Sequence, residues 1–326
     1  MTKKTKTPKY VKISTPAVVF FSLLLSLVSF YAGISYYQQH HGDNTSSDKK
    51  SVASFQPTKS KKPELKFFVM SFCPYGNQIE DVIRPVAELL KDKTDIRPQY
   101  IFNKIKDLNT YCKNSSGDAS KCQSYVENGY FKTVANCKKT LTDNLKKCLN
   151  TNDYIKSQDG NFYSSLHGRS EANQDIREIC AWQQTDDKSK WWKFVLNVNK
   201  NCNPQNVDSC WQKQANQAGL DENKITDCFD HQAIALIEKE IEQTDKYKVT
   251  GSPTLIINGE NFPPESGYTK DGKGGLKIGK KVVQQADYRT PNGIKEAICS
   301  AFKKAPKECK KTLEKLDKSA PASGGC

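Results

Sequence analysis

The sequence predicts an α/β domain with a large disulfide-rich helical insertion, preceded by one transmembrane helix. Three observations predict it. A buried-strand run, a cysteine turn, a helical repeat and a second strand run follow one another between residues 65 and 102. A lysine-rich helical stretch from about 104 to 246 then carries eight of the twelve cysteines. A long uncharged run lies close to the N-terminus.

The uncharged run is Pro16 to Tyr37, PAVVFFSLLLSLVSFYAGISYY, about long enough to cross a hydrocarbon core as a helix. A cleaved signal peptide fits less well, because the run exceeds a usual h-region and bulky Phe30 stands where a small residue is wanted before Ala32. Lys3, Lys4, Lys6, Lys9 and Lys12 precede it, so residues 1–15 are expected as a cytoplasmic basic tail, 16–37 as a single-pass span of the cell membrane, and the remainder as extracytoplasmic. Residues 38–63 are polar and lack apolar periodicity, which reads as a flexible linker.

Twelve cysteines against four histidines, without paired CxxC knuckles, argue for disulfides in an oxidising compartment rather than for metal, and no cofactor is expected. The formal charge of +14 is spread along the chain, with no zinc-finger spacing or RNA-binding aromatic motif, so nucleic acid is not an expected partner. It reads as solvated surface with some attraction to anionic lipid or envelope polymer.

A folded domain is expected over 64–305. Leu65 to Met70 reads as a buried strand, Ser71 to Gly76 as a turn, and Asn77 to Lys91 as a helix whose apolar residues recur at helical spacing, with Pro85 kinking or crowding its middle. Ile96 to Phe102 reads as the second strand. In the insertion, helical periodicity marks 170–183, 191–198, 208–218 and 221–243, the last as one helix or two. Cysteine spacings suit two stapled antiparallel helices, Cys112 with Cys148 and Cys122 with Cys137, one pairing among several. The four tryptophans, Trp182, Trp191, Trp192 and Trp211, read as core. Thr254 to Ile257 is a strand followed by an Asn258-Gly259 turn, residues 261–279 a surface loop, Pro291 to Lys303 a closing helix and 306–326 a basic, flexible tail. Cys299 and Cys309 can form a local bridge.

The candidate site is Ser71-Phe72-Cys73-Pro74-Tyr75-Gly76. A cysteine opening a helix faces unpaired N–H groups and the positive end of the dipole, which favours thiolate. Pro74 suits a first helical turn. With Cys73 as a free nucleophile an odd cysteine is left over, and Cys326, behind Gly324-Gly325, is the candidate resolving or intermolecular thiol. A second segment, Thr250-Gly251-Ser252-Pro253, precedes a strand and reads as a proline turn that holds an extended substrate against the thiol.

The β-Cys-Pro-Tyr-α start, the helical insertion and the GSPT loop together resemble the thioredoxin superfamily, especially envelope disulfide oxidoreductases with helices between their half-folds. His167-Gly168-Arg169-Ser170-Glu171 with Cys180 resembles the CQHGxxECxxNxxxxC signature of gamma-interferon-inducible lysosomal thiol reductases, with Ser165, Leu166, Ala172 and Asp175 at positions that are Cys, Gln, Cys and Asn in that signature. The cysteine-rich part through Cys228, with TGSPTL, is similar to the thioredoxin-like region of plant vacuolar sorting receptors, which bind rather than reduce. The superfamily's redox enzymes carry a second cysteine three residues after the first, and here that residue is Gly76. The resemblance therefore implies either a monothiol exchange protein acting on exported cysteine-containing proteins or with a membrane redox partner, or a non-enzymatic protein-binding module.

Overall fold

The computed structural model describes residues 52–314 and 316. The chain begins with β1 (Ala53–Phe55) and β2 (Glu64–Val69), followed by α1 (Pro74–Leu89), β3 (Asp95–Tyr100) and β4 (Asn103–Ile105). The insertion continues through α2 (Leu108–Ser115), α3 (Cys122–Glu127), α4 (Val134–Cys148), β5 (Ile155–Lys156) and β6 (Phe162–Ser164). Its larger helices follow: α5 (Arg169–Gln184), α6 (Lys188–Asn201), α7 (Val207–Ala218) and α8 (Glu222–Tyr247). Strands β7 (Thr254–Ile257), β8 (Glu260–Phe262), β9 (Gly275–Ile278) and β10 (Lys281–Gln284) lead to α9 (Pro291–Ser300).

The central sheet has the order β3-β2-β7-β8. β2 and β3 run parallel, joined by the α1 crossover, while β7 is antiparallel to β2 and to β8. A parallel βαβ half thus meets an antiparallel hairpin half, and the whole insertion is threaded between them. The hairpin turn is Asn258-Gly259, both with positive φ (47° and 89°), the conformation that a tight two-residue turn demands. Two small sheets, β1-β9-β10 and β4-β6-β5, flank the central one.

Leu65, Phe67 and Phe68 on β2 have no exposed surface, which is why the strand reads as a continuous apolar run. Phe67 stacks on Trp192 at 5.7 Å between ring centroids and meets Trp191 edge-on. Burying each such ring contributes about 2–3 kcal/mol. Trp191, Trp192 and Trp211 are core, with Trp182 packed partly buried beside them. Five disulfides join Cys112 to Cys148, Cys122 to Cys137, Cys180 to Cys228, Cys202 to Cys210 and Cys299 to Cys309. The two expected insertion staples and the local C-terminal bridge are among them.

Several expectations are corrected. Among the described residues no helix is long and apolar enough to cross a membrane, and the expected span at 16–37, like the basic tail before it, lies outside the described residues. The fold is thioredoxin-like α/β with a helical insertion; the transmembrane helix and the single-pass placement are withdrawn from it. The linker does not reach residue 63, because Ala53–Phe55 pairs in parallel with Leu276–Ile278 and buries Phe55 against Phe262. That same pairing puts a strand inside the expected 261–279 loop, where the sequence is too rich in glycine to betray it. Pro85 sits inside α1 without breaking it, and residues 222–247 form one helix, the first of the two expected alternatives. The C-terminal segment is held as far as a short 3-10 turn at Lys307–Lys310 by the Cys299–Cys309 bridge and by Lys93, whose ammonium lies 3.4 Å from Glu308.

Candidate active site at the start of helix α1

Cys73 is the N-cap of α1, its backbone extended (φ −75°, ψ 115°), and Pro74 occupies the first helical position. The Gly76 amide donates to Cys73 Sγ at 3.4 Å, so the sulfur takes up one of the N–H groups that a helix start leaves unpaired. From the far end of the chain, the carbonyl oxygen of Ser252 lies 3.6 Å from Sγ, and the Ser252-Pro253 peptide bond is cis. Cys73, Gly76 and Ser252 therefore converge on one point although 179 positions separate the two ends of the contact. Pro253 is buried behind them, Gly251 is half-buried, and Thr250 is exposed, one step removed from the sulfur. Tyr75 projects outward with 41% of its surface exposed.

The expectation of an exposed, free thiol is corrected. Cys73 has no exposed surface and is itself disulfide-bonded. The expected resolving residue, Cys326, lies outside the described residues.

Gly76 occupies the place of a second active-site cysteine, and the geometry explains why it has no side chain. A Cβ there would lie 2.8 Å from Ser252 Oγ and 3.3 Å from the Met70 carbonyl oxygen. The Ser252 hydroxyl, buried against this glycine, has no hydrogen-bond partner.

Beneath the cysteine turn lies a carboxylate layer supplied by α5, in which Glu171 and Asp175 stand at signature positions while no motif marks Glu178. Asp175 accepts hydrogen bonds from the backbone N–H and the hydroxyl of Ser71, at 2.9 and 2.6 Å. Glu171 accepts from the Phe72 N–H at 2.9 Å, from the His167 N–H at 2.8 Å and pairs with His167 Nδ1 at 2.9 Å. Tyr100 donates its hydroxyl to Glu178 at 2.7 Å and its backbone N–H to Glu240 at 2.8 Å. The two residues before Cys73 are thus clamped by side chains four positions apart on one helix face.

Burial pushes Asp175 well above the usual carboxylate range, with the neighbouring Glu171 charge adding to it, and burial does the same to Glu80. Burial raises Glu178 to about 7 against the opposing hydrogen bonds from Gln174, Tyr100 and Ser71. Glu171 differs. Its burial works upward too, but the hydrogen bonds and charge of His167 together with the Phe72 amide hold it below the ordinary value. One ionised carboxylate beside two or three neutral ones is the arrangement that buried acids sharing a site adopt. No group of residues able to hold a metal ion occurs among the described residues.

The family model described as the vacuolar sorting receptor thioredoxin-like domain matches residues 72–265, from the cysteine turn through the β7-β8 hairpin. Solved structures to which the chain is similar include the disulfide bond oxidoreductase DsbG from Mycobacterium tuberculosis, 13% identical over 79% of this chain and 88% of that one, with a TM-score of 0.38. DsbA from the same organism is 13% identical over 78% and 92%, with a TM-score of 0.36. BdbD from Bacillus subtilis is 11% identical over 67% and 93%, with a TM-score of 0.35. A search of the curated proteins returns no match. With its βαβ and hairpin halves around a helical insertion, and a family match over more than half its length, the chain belongs to the vacuolar sorting receptor thioredoxin-like domain family.

Proposed function

We propose that this protein carries out thiol–disulfide exchange through Cys73, with Cys326 as its disulfide partner and leaving thiolate and exported cysteine-containing proteins as substrates. The observation that carries the reading is the position of Cys73 Sγ, which caps α1 beside the Gly76 amide and the Ser252 carbonyl. A helix start stabilises a departing or attacking thiolate there. Five bridges take up ten of the twelve cysteines, Cys73 is bonded as well, and Cys326 is the twelfth. The proposed resting state is a Cys73–Cys326 disulfide. A substrate thiolate attacks Cys73, breaking that bond, forming a mixed disulfide and releasing Cys326 as thiolate. The substrate's second thiolate then attacks the mixed disulfide and leaves Cys73 reduced. The substrate dithiol loses two electrons and two protons, and the protein's disulfide gains them. Pro74 and Tyr75 shape the helix start, Gly76 lets the Ser252 segment close against it, and the segment Thr250 to Pro253 lines the extended substrate.

The test is peptide mapping without reduction, followed by oxidation of a reduced dithiol peptide. A Cys73-to-Cys326 linkage and loss of turnover in Cys73→Ser are expected. A map that pairs Cys73 with another cysteine removes Cys326 from the mechanism, and turnover surviving in Cys73→Ser removes Cys73.

A second reading, a protein-binding module that has kept the fold, is favoured by the complete burial of Cys73 and the missing cysteine at Gly76. Under that reading Cys73→Ser retains its bound partner and no exchange is detected in the unaltered protein.

A further inference from the structure

On the other side of Glu171 lies an open cleft of about 860 Å³ that the exchange chemistry does not use. The N-terminus of α5 faces it. Gly168, at φ +85° with open space where a Cβ would stand, caps this 16-residue helix without a side-chain hydrogen bond, and the helix's first residues Arg169 and Ser170 line the cleft. Lys147 from α4 and Arg177 from the next turns of α5 line it as well. A helix start with no side-chain cap, flanked by cations, favours a negative group, although the ionised Glu171 in its first turn and Asp208 on Arg177 offset part of that field.

The cleft also holds buried polar groups without partners. Arg177 is only 9% exposed, is sandwiched over Trp211 and Phe229, and gives one nitrogen to Asp208 at 2.6 Å, yet its Nη1 has no hydrogen-bond partner. Asn173, one turn earlier and 8% exposed, leaves its Oδ1 unpartnered on the same wall. A buried guanidinium nitrogen and a buried amide oxygen left unmatched each cost free energy, and a ligand that shifts the wall enough to reach them supplies an acceptor and a donor. A polypeptide supplies both, through its carbonyl oxygens and N–H groups, and acidic side chains add the charge that the helix start and the lysine and arginine attract. Asp153 and Asp208 on the rim narrow the positive field to the wall formed by Arg169, Lys147 and Arg177.

We propose that this cleft binds an acidic polypeptide segment, seating a carboxylate at the N-terminus of α5 and the peptide backbone against Asn173 and Arg177. The site is independent of the sulfur chemistry, so it survives loss of Cys73. It is also coupled to it in place: Glu171 joins His167 on the cleft rim to the Phe72 amide beside Cys73. A substrate held by its acidic segment is thereby presented near the cysteine turn.

The experiment measures binding of fluorescein-labelled hexaglutamate to the full chain by anisotropy at low ionic strength, with hexalysine and inorganic phosphate as comparison probes. The variant Lys147→Gln/Arg169→Gln removes two exposed charges of the cleft, and Lys61→Gln/Lys62→Gln removes the same charge from a remote exposed site. Expected are hexaglutamate binding, none by hexalysine, a loss of about tenfold in the cleft variant, equivalent to about 1.4 kcal/mol, and no comparable loss in the remote one. Cys73→Ser is expected to bind as the unaltered chain does, which separates this result from the exchange reading. Equal losses in the two double variants, or binding of phosphate without hexaglutamate, overturn the proposal.

Discussion

The hydroxyl of Ser252 stands where a side chain on residue 76 would have to go: a Cβ on Gly76 comes within 2.8 Å of it. Two segments from opposite ends of the domain have thus been fitted to each other around the absence of one carbon atom. Gly76→Ala is expected to cost about 1–3 kcal/mol through overpacking against Ser252 and the Met70 carbonyl. Because the Ser252 hydroxyl is buried and unpartnered, Ser252→Ala should be neutral or stabilising. Urea unfolding of the two single variants and the double variant should show the second substitution recovering a good part of the first's cost; strict additivity would remove the steric account.

Glu178 predicts a pH signature. With its folded pKa raised by burial to about 7, above the unfolded value, the native state holds the extra proton between about pH 4.5 and pH 7. Stability therefore falls as pH rises across that window, by on the order of 3 kcal/mol for a fully developed shift. Glu178→Gln should flatten this slope and gain stability at pH 8. The amide is accommodated because Gln174, whose Oε1 has no partner, can turn to accept from it while Tyr100 still donates to the new carbonyl. Chemical denaturation at a series of pH values reads the difference, and an unchanged slope would dismiss Glu178 as its source.

His167 shifts in the same direction, in a window that begins higher on the pH scale. Its hydrogen bond to Glu171 raises its pKa against the smaller opposing effect of burial, so its contribution to stability is fully present below the ordinary histidine value and is lost as pH rises through the folded one. NMR titration of the imidazole should show the raised value, and Glu171→Gln should return it toward normal. The same substitution weakens the acceptor of the Phe72 amide, so protection of that amide from hydrogen exchange should decline with it.

The disulfides should differ by the length of chain they close. Cys180–Cys228 spans 48 positions and Cys202–Cys210 spans 8. On chain-entropy grounds, double replacement by serine costs about 4 kcal/mol for the first and about 2.5 kcal/mol for the second. Thermal unfolding of the two variants tests the ranking, and a reversed order would mean that packing around Cys202 matters more than loop closure.

How much of this was legible in the sequence follows from whether each signal is local. Leu65 to Val69, the α1 periodicity and the Asn258-Gly259 turn are written in neighbouring residues, and they stand where the sequence puts them. Cys73 and Ser252 could be brought together on paper because a strand-cysteine-helix start and a proline turn before a strand are themselves compact patterns. β1 could not, since Ala53–Phe55 is a strand only by virtue of Leu276–Ile278 more than two hundred residues away. The carboxylates of α5 were hidden for a different reason. Glu171, Asp175 and Glu178, within an insertion rich in lysine, look like a solvated helix face, and only the tertiary fold shows α5 buried between α8, α6 and the sheet. Likewise the sequence offers Cys73 as a reactive thiol but says nothing of its being covered and bonded.

The outer part of the insertion has its own small cores. Leu108, Ile105 and Tyr154 gather around Cys112–Cys148, Leu141 packs beside Cys122–Cys137, and neither cluster merges with the main one. Such a lobe, tied shut by covalent cross-links, is expected to open as a cooperative unit of its own. A reductant that opens those two bonds would melt the lobe by itself, exposing its lysine-rich chain to digestion while the sheet and the cysteine turn stay folded.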